Sequence, residues 1–119
     1  MRALEASLSG VLGVPGAVGV ALVDAVTGLG YGSVGDHRLL GSGAELAELT
    51  NRIGDRLFAA GATGELESMV VTSTRHHEIV QVVPRQDGPL LLAIVLDRER
   101  MNPALASRQT VCHAADLLT

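Results

Sequence analysis

Apolar residues at Leu4, Leu8, Val11 and Leu12 recur at helical spacing, and Gly13 followed by Pro15 ends that first segment. Residues 17–24 (AVGVALVD) form a short, continuous apolar run, the pattern of a strand covered on both faces. Ala25-Val26-Thr27-Gly28 reads as a reversal into a poor, glycine-rich strand over residues 29–34, and Gly35, Gly41 and Gly43 mark a loop. A longer helix is predicted from about Ala44 to Ala60. Leu46, Leu49, Ile53 and Leu57 form its apolar stripe, with Ala47, Gly54 and Phe58 beside it. Glu45, Glu48, Asn51, Arg52, Asp55 and Arg56 make its solvent face, and Gly61 and Gly64 close it.

Three strands follow, over residues 66–74, 78–83 and 89–97, joined by short connections around Arg75-His76-His77 and Arg85-Gln86-Asp87-Gly88. The first alternates, with Ser68, Val70, Thr72 and Thr74 on one face and Met69 and Val71 on the other. The last is apolar throughout. Asn102 as an N-cap with Pro103 behind it opens a final helix to about Leu118. The order is therefore αββαβββα, an α+β domain spanning residues 1–119. The two strands apolar on both faces belong side by side in the centre, and their hairpin partners extend the sheet outward. The predicted strand order is 2-1-5-4-3, mostly antiparallel, with helices on both faces. Strand 66–74 is left at one edge, without Pro or Lys to discourage pairing with another chain.

Composition narrows the chemistry. The chain has 119 residues, 47% hydrophobic, with one Tyr, one Phe and no Trp, and a formal charge of −4. All nine basic residues are Arg. With no lysine there is no Schiff-base lysine and no Walker-type phosphate lysine. Two rings and a net negative charge argue against nucleic-acid binding. The apolar window 11–23 is broken by Gly13, Pro15, Gly16 and Gly19, which argues against membrane insertion. The single Cys112 cannot form an internal disulfide, and a soluble cytoplasmic protein is the expectation.

Several clusters resemble functional motifs by letter. Gly30 to Gly35 matches G-x-G-x-x-G, but a loop with Asp36 and His37 follows where a dinucleotide site needs a helix. We read it as a glycine-loosened edge strand and turn. His76-His77-Glu78 has metal-like composition, yet neighbours on a strand point to opposite faces, so a solvated hairpin tip is the reading. Cys112 and His113 diverge by about 100° on a helix, which suits a buried cysteine and an exposed histidine. Asp97, Glu99 and Asp116 read as strand-end, loop and helix-surface charges. These readings select no catalytic residues, no cofactor and no metal site, and so a protein that is not an enzyme.

The chain resembles the roadblock/LC7 family in three stretches. Residues 8–24 (LSGVLGVPGAVGVALVD) are similar to the family's opening helix, V-P-G-V turn and first strand with its closing Asp. Residues 64–71 (GELESMVV) resemble the turn and edge strand after the central helix, and residues 90–96 followed by Asn102 resemble the last strand and the opening of the final helix. The glycines at 28, 30, 32 and 35, and Pro103 after Asn102, depart from the pattern. The resemblance implies a profilin-like fold and a homodimer whose long helices pair and whose edge strands join. It further implies a non-catalytic regulator or scaffold for a small Ras-like GTPase and associated signalling proteins, similar to the conservon-encoded proteins of actinobacteria. The expected dimer-face residues are Leu46, Leu49, Ile53 and Leu57 on the helix and Met69, Val70, Val71 and Thr72 on the strand. The helix set has an alternative use, packing on its own sheet. The alternative function is a small-ligand sensor of the profilin/PAS-like kind, with a pocket between sheet and helix.

Overall fold

A computed structural model describes residues 2–100 and 108–111. Its elements run α1 (Arg2–Leu12), β1 (Ala17–Asp24), β2 (Gly30–Gly35), a 3-10 turn (His37–Leu40), α2 (Gly43–Ala59), β3 (Ser68–Thr72), β4 (His76–Val83) and β5 (Leu90–Asp97), with a short 3-10 turn at Arg98–Arg100. Residues 108–111 are helical. The expected N-cap Asn102, with Pro103, and the candidates Cys112, His113 and Asp116 lie outside the described residues.

The sheet has the order β2-β1-β5-β4-β3, and every neighbouring pair is antiparallel. The central position of β5 follows from its sequence: seven of its eight residues are buried, and only an all-apolar strand tolerates cover on both faces. On one face Leu8, Val11 and Val14 from α1 and its turn pack on Val20, Leu22, Ile79, Leu92 and Ile94. On the other, Leu40 and Leu46 pack on Val23, Val80, Leu91, Ala93 and Val95. Each fully buried aliphatic side chain stabilises the fold by roughly 1.5–3 kcal/mol, so these two layers supply the core that two aromatic rings could not.

Two local features place the rest. Ser42 caps α2 by accepting a hydrogen bond from the Glu45 backbone N–H at 3.1 Å. Gly28, at φ +78, brings the β1–β2 turn against the start of α2, where a Cβ would sit 2.6 Å from the Ala44 Cα. Asn51 Nδ2 donates to the Ala25 carbonyl at 3.3 Å. The helix therefore starts by the β1–β2 turn and crosses the end of the sheet that holds Asp24, Pro84 and Pro89, here called the upper end, where Gly54 and Asp55 share a groove with Val82 and Pro84 of the β4 end and with Glu65 and Leu66 before β3.

Two expectations needed correction. The connection read as Arg75-His76-His77 lies two residues earlier: strand β4 begins at His76, and Ser73 to Arg75 make the turn, with Ser73 N–H donating to the His76 carbonyl. The loop read over residues 35–43 contains the 3-10 turn, which carries the core residue Leu40. None of the described helices is long and apolar enough to cross a membrane.

Candidate interaction surface

Strand β3 pairs with β4 on one side and is the last strand of the sheet on the other. Hydrogen bonds from Val82 N–H to the Glu67 carbonyl and from Ser73 N–H to the His76 carbonyl fix the alternation along the ladder. Met69 and Val71 bond inward to β4, and Ser68, Val70 and Thr72 turn their N–H and C=O groups outward. The register runs without a bulge from Ser68 to Thr72.

Side chains on this edge follow the predicted alternation. Met69 is partly buried against the α2-side core, while Val70 and Val71 are 51% and 45% exposed. Thr72 is exposed, but its Oγ1 lies 2.7 Å from His77 Nδ1 across the ladder, and His77 is buried. The reading of His76-His77-Glu78 as a solvated tip is thus corrected. The three residues stand on a covered strand, His77 facing the α1 side and His76 and Glu78 the α2 side.

The structure divides the helix stripe. Leu46 is buried on its own sheet, together with Ala47 and Thr50. Ile53 is half-buried, Leu49 and Leu57 are 42% and 43% exposed, and Phe58 is 82% exposed. From Asp55 to Ala60 every residue is exposed. Asn51, in the middle of the helix, still reaches the end of β1 at Ala25, and Gly54 and Asp55 line a groove with Val82 and Pro84 at the end of β4 and with Glu65 and Leu66 before β3. The exposed last turns of α2 therefore leave the sheet on the β3 side.

At the opposite, lower end of β3 and β4, a groove of about 310 Å³ opens on the α2 side, lined by Leu39, Val71, Ser73, His76, Glu78 and Val95. Leu39 is 48% exposed there. Glu78 Oε2 is buried without a hydrogen-bond partner, and burial raises its carboxyl above the ordinary glutamate range. Sequence reasoning gave Leu39 no role, set Phe58 only beside the helix stripe, and took Glu78 only as part of the His76-His77-Glu78 cluster. Nothing in the letters marks the burial of the Glu78 oxygen.

Elsewhere the polar clusters tie loops together. Asp24 Oδ1 accepts from the backbone N–H groups of Val26 and Thr27 at 2.8 and 2.9 Å. The Thr27 and then the Val26 bond hold its carboxyl below the usual range. Its Oδ2 faces Arg85 at 3.8 Å, and Arg85 lies over the Tyr31 ring at 5.5 Å, joining the β1–β2 and β4–β5 connections. Asp97 pairs with Arg100 at 3.4 Å. The G-x-G-x-x-G stretch is edge strand β2, followed by the 3-10 turn and not directly by a helix.

A five-stranded antiparallel sheet in the order 2-1-5-4-3, with α1 on one face and a long crossing helix on the other, defines the roadblock/LC7 fold, and this chain has it. The structure is similar to that of Myxococcus xanthus MglB, with a TM-score of 0.84 at 15% identity, covering 99% of this chain and 94% of that one. It is also similar to the gliding protein MglB from Thermus thermophilus (TM-score 0.76, 16% identity, 95% and 83% covered). A roadblock/LC7 domain from Streptomyces avermitilis gives a TM-score of 0.74 at 18% identity, with 93% and 91% covered. No family model matches the sequence, and no curated protein sequence matches it.

Proposed function

We propose that this chain is a non-catalytic homodimeric regulator or scaffold for a small Ras-like GTPase in bacterial signalling. The observation that carries the reading is the β3 edge. Five residues in unbroken register, with three outward-facing backbone positions and two half-exposed valines, stand beside the overshooting apolar turns of α2. Two such edges related by a two-fold axis would pair antiparallel about Val70, with Ser68 opposite the partner subunit's Thr72. Leu49, Ile53, Leu57, Met69, Val70, Val71 and Thr72 then form the face, and Leu46 supports it from the chain's own core. The likeness in fold to MglB and to a roadblock/LC7 domain supports the assignment of class. The joined sheet and paired helices offer a broad surface without any need for a reaction centre.

The test has two parts. Light scattering of the purified protein should give twice the mass of one chain, and the dimer should bind a Ras-like GTPase from the same genome in at least one nucleotide state. A mass of one chain, or no binding to either the GDP- or the GTP-loaded form, would refute it. A second reading, small-ligand sensing, draws on one observation. A groove of about 430 Å³ opens between α2 and the sheet, with Asn51, Asp55, Glu65 and Arg85 among its lining residues. Thermal shifts across metabolite and nucleotide panels would separate the two.

A further inference from the structure

The lower groove holds a carboxylate with an unanswered oxygen. Glu78 Oε2 is buried and unpaired; Arg98, at the same end of the sheet, spends its Nη1 on the Ser73 and Thr74 carbonyls at 3.0 and 3.5 Å, and none of the ion pairs among the described residues includes Glu78. On its own strand the same face carries His76, two residues away. Across on β5, Asp97 is held by Arg100 at 3.4 Å. On the 3-10 turn, Arg38 is held by Asp36 at 3.1 Å. Strand β3 contributes Val71 and Ser73, neither of them charged. A half-buried carboxylate with one oxygen buried and unanswered costs stability unless something completes it.

Two-fold symmetry says what would lie over it. When two β3 strands pair antiparallel, the upper end of one protomer's sheet lies beside the lower end of the other's. The overshooting turns of the partner's α2, which leave their own sheet after Gly54, would then pass above the lower half of β3 and β4. That is where the groove opens. Of the two arginines on α2, Arg52 is engaged by Glu48 at 3.0 Å. Arg56 is exposed and, among the described residues, has no ion-pair partner. It stands next to Leu57, on the part of the helix that overhangs.

We propose that Glu78 is an inter-subunit acceptor, completed in the dimer by the guanidinium of the partner subunit's Arg56. The proposal rests on the homodimer reading above and adds to it a specific charge pair, present twice by symmetry. The pair makes the dimer prefer the ionised form of Glu78, whereas burial in the single chain disfavours that form.

The pair can be tested by exchanging its charges between copies. In Glu78→Arg both symmetric contacts of the homodimer become like-charged, and the same holds for Arg56→Glu. Mixed together, the two variants restore an opposite-charge pair at each contact of the heterodimer. Sedimentation equilibrium should show each variant alone at least tenfold weaker in self-association than the wild type, and the mixture recovering toward wild-type affinity. The neutral variants Glu78→Gln and Arg56→Gln, which place no new charge in the groove, should each weaken the dimer, and the double variant should be no weaker than the poorer single one. Circular dichroism of each variant verifies the fold. Variants that dimerise like the wild type, or that stay apart on mixing, would overturn the pair while leaving the homodimer in place. A wild-type protein that sediments as one chain removes the homodimer, and the pair with it.

Discussion

Strands β2 and β3 end the sheet on its two sides, and their outer edges are built from different material. In β2, hydrogen bonds from Asp36 N–H to the Val18 carbonyl and from Asp24 N–H to the Leu29 carbonyl set the alternation, so that Tyr31 and Ser33 face outward. The register slips between Leu22 and Val23, inserting Tyr31 as a bulge, and Gly30, Gly32 and Gly35 offer no side chain to pack. Bulges and sparse side chains are how natural sheets discourage edge pairing. In β3 the register is unbroken and the outward positions are flanked by Met69, Val70 and Val71. Both strands are short and terminal, but only β3 has an apolar, regular edge with a helix end overhanging it. One glycine of the β1–β2 hairpin, Gly28, serves the interior: it lets the turn approach the start of α2 backbone to backbone.

The largest effect expected from that division of labour comes from Gly28. Gly28→Val places a Cβ against Ala44 at a backbone angle that L residues avoid, which should cost about 3 kcal/mol or more. Thermal denaturation should show a melting temperature lower by roughly 10 °C or more. A variant of unchanged stability would mean that the hairpin does not seat the helix.

The next contrast pits one edge against the other. Proline at Val70 removes an N–H that points outward and leaves the bonds to β4 intact. Val70→Pro should therefore stay folded yet weaken self-association by tenfold or more, about 1.4 kcal/mol. Ser33→Pro makes the same change on the other edge and should leave the association constant within twofold. Equal effects at both sites, measured by sedimentation, would erase the distinction.

Smaller effects follow from the carboxylates at the two ends of the sheet. Glu78 has a folded pKa raised by burial, so its ionisation penalises the fold. The penalty is absent below the ordinary glutamate pKa and grows as pH rises through the raised value. In the Val70→Pro background, Glu78→Gln should raise the melting temperature slightly at pH 7 and by nothing resolvable below the ordinary glutamate pKa. Asp24 behaves oppositely. Its folded pKa is lowered, so its contribution is present above pH 3.8 and is lost as pH falls through the folded value. Asp24→Asn should lower the melting temperature slightly at pH 7, with the difference closing as pH falls through the lowered folded-state value.

The sheet order was legible because β1 and β5 are apolar on both faces and can only be central, and because short connections leave β3, β4 and β5 no arrangement but a meander. The helix start was also written in the chain: Ser42 and Glu45 are spaced as a capping pair, though the helix was predicted from Ala44 instead of Gly43. The 3-10 turn was not legible, since four residues between glycines are too few to show a period. His77 was misjudged because its burial comes from a neighbouring strand that the local pattern does not reveal. The helix stripe shows most clearly where sequence stops. Leu46, Leu49, Ile53 and Leu57 look alike as letters. Which of them rest on the chain's own sheet depends on where the helix leaves the strands beneath it, after Gly54.

The central claim, that β3 and not β2 is the joining edge, is tested most directly by sedimentation equilibrium of the wild type beside Val70→Pro. One chain is 12.3 kDa. Twice that mass is expected for the wild type, and a shift toward the single-chain mass for the variant at the same concentration. A wild-type mass of one chain, or a Val70→Pro variant that holds together as firmly as the wild type, would contradict it.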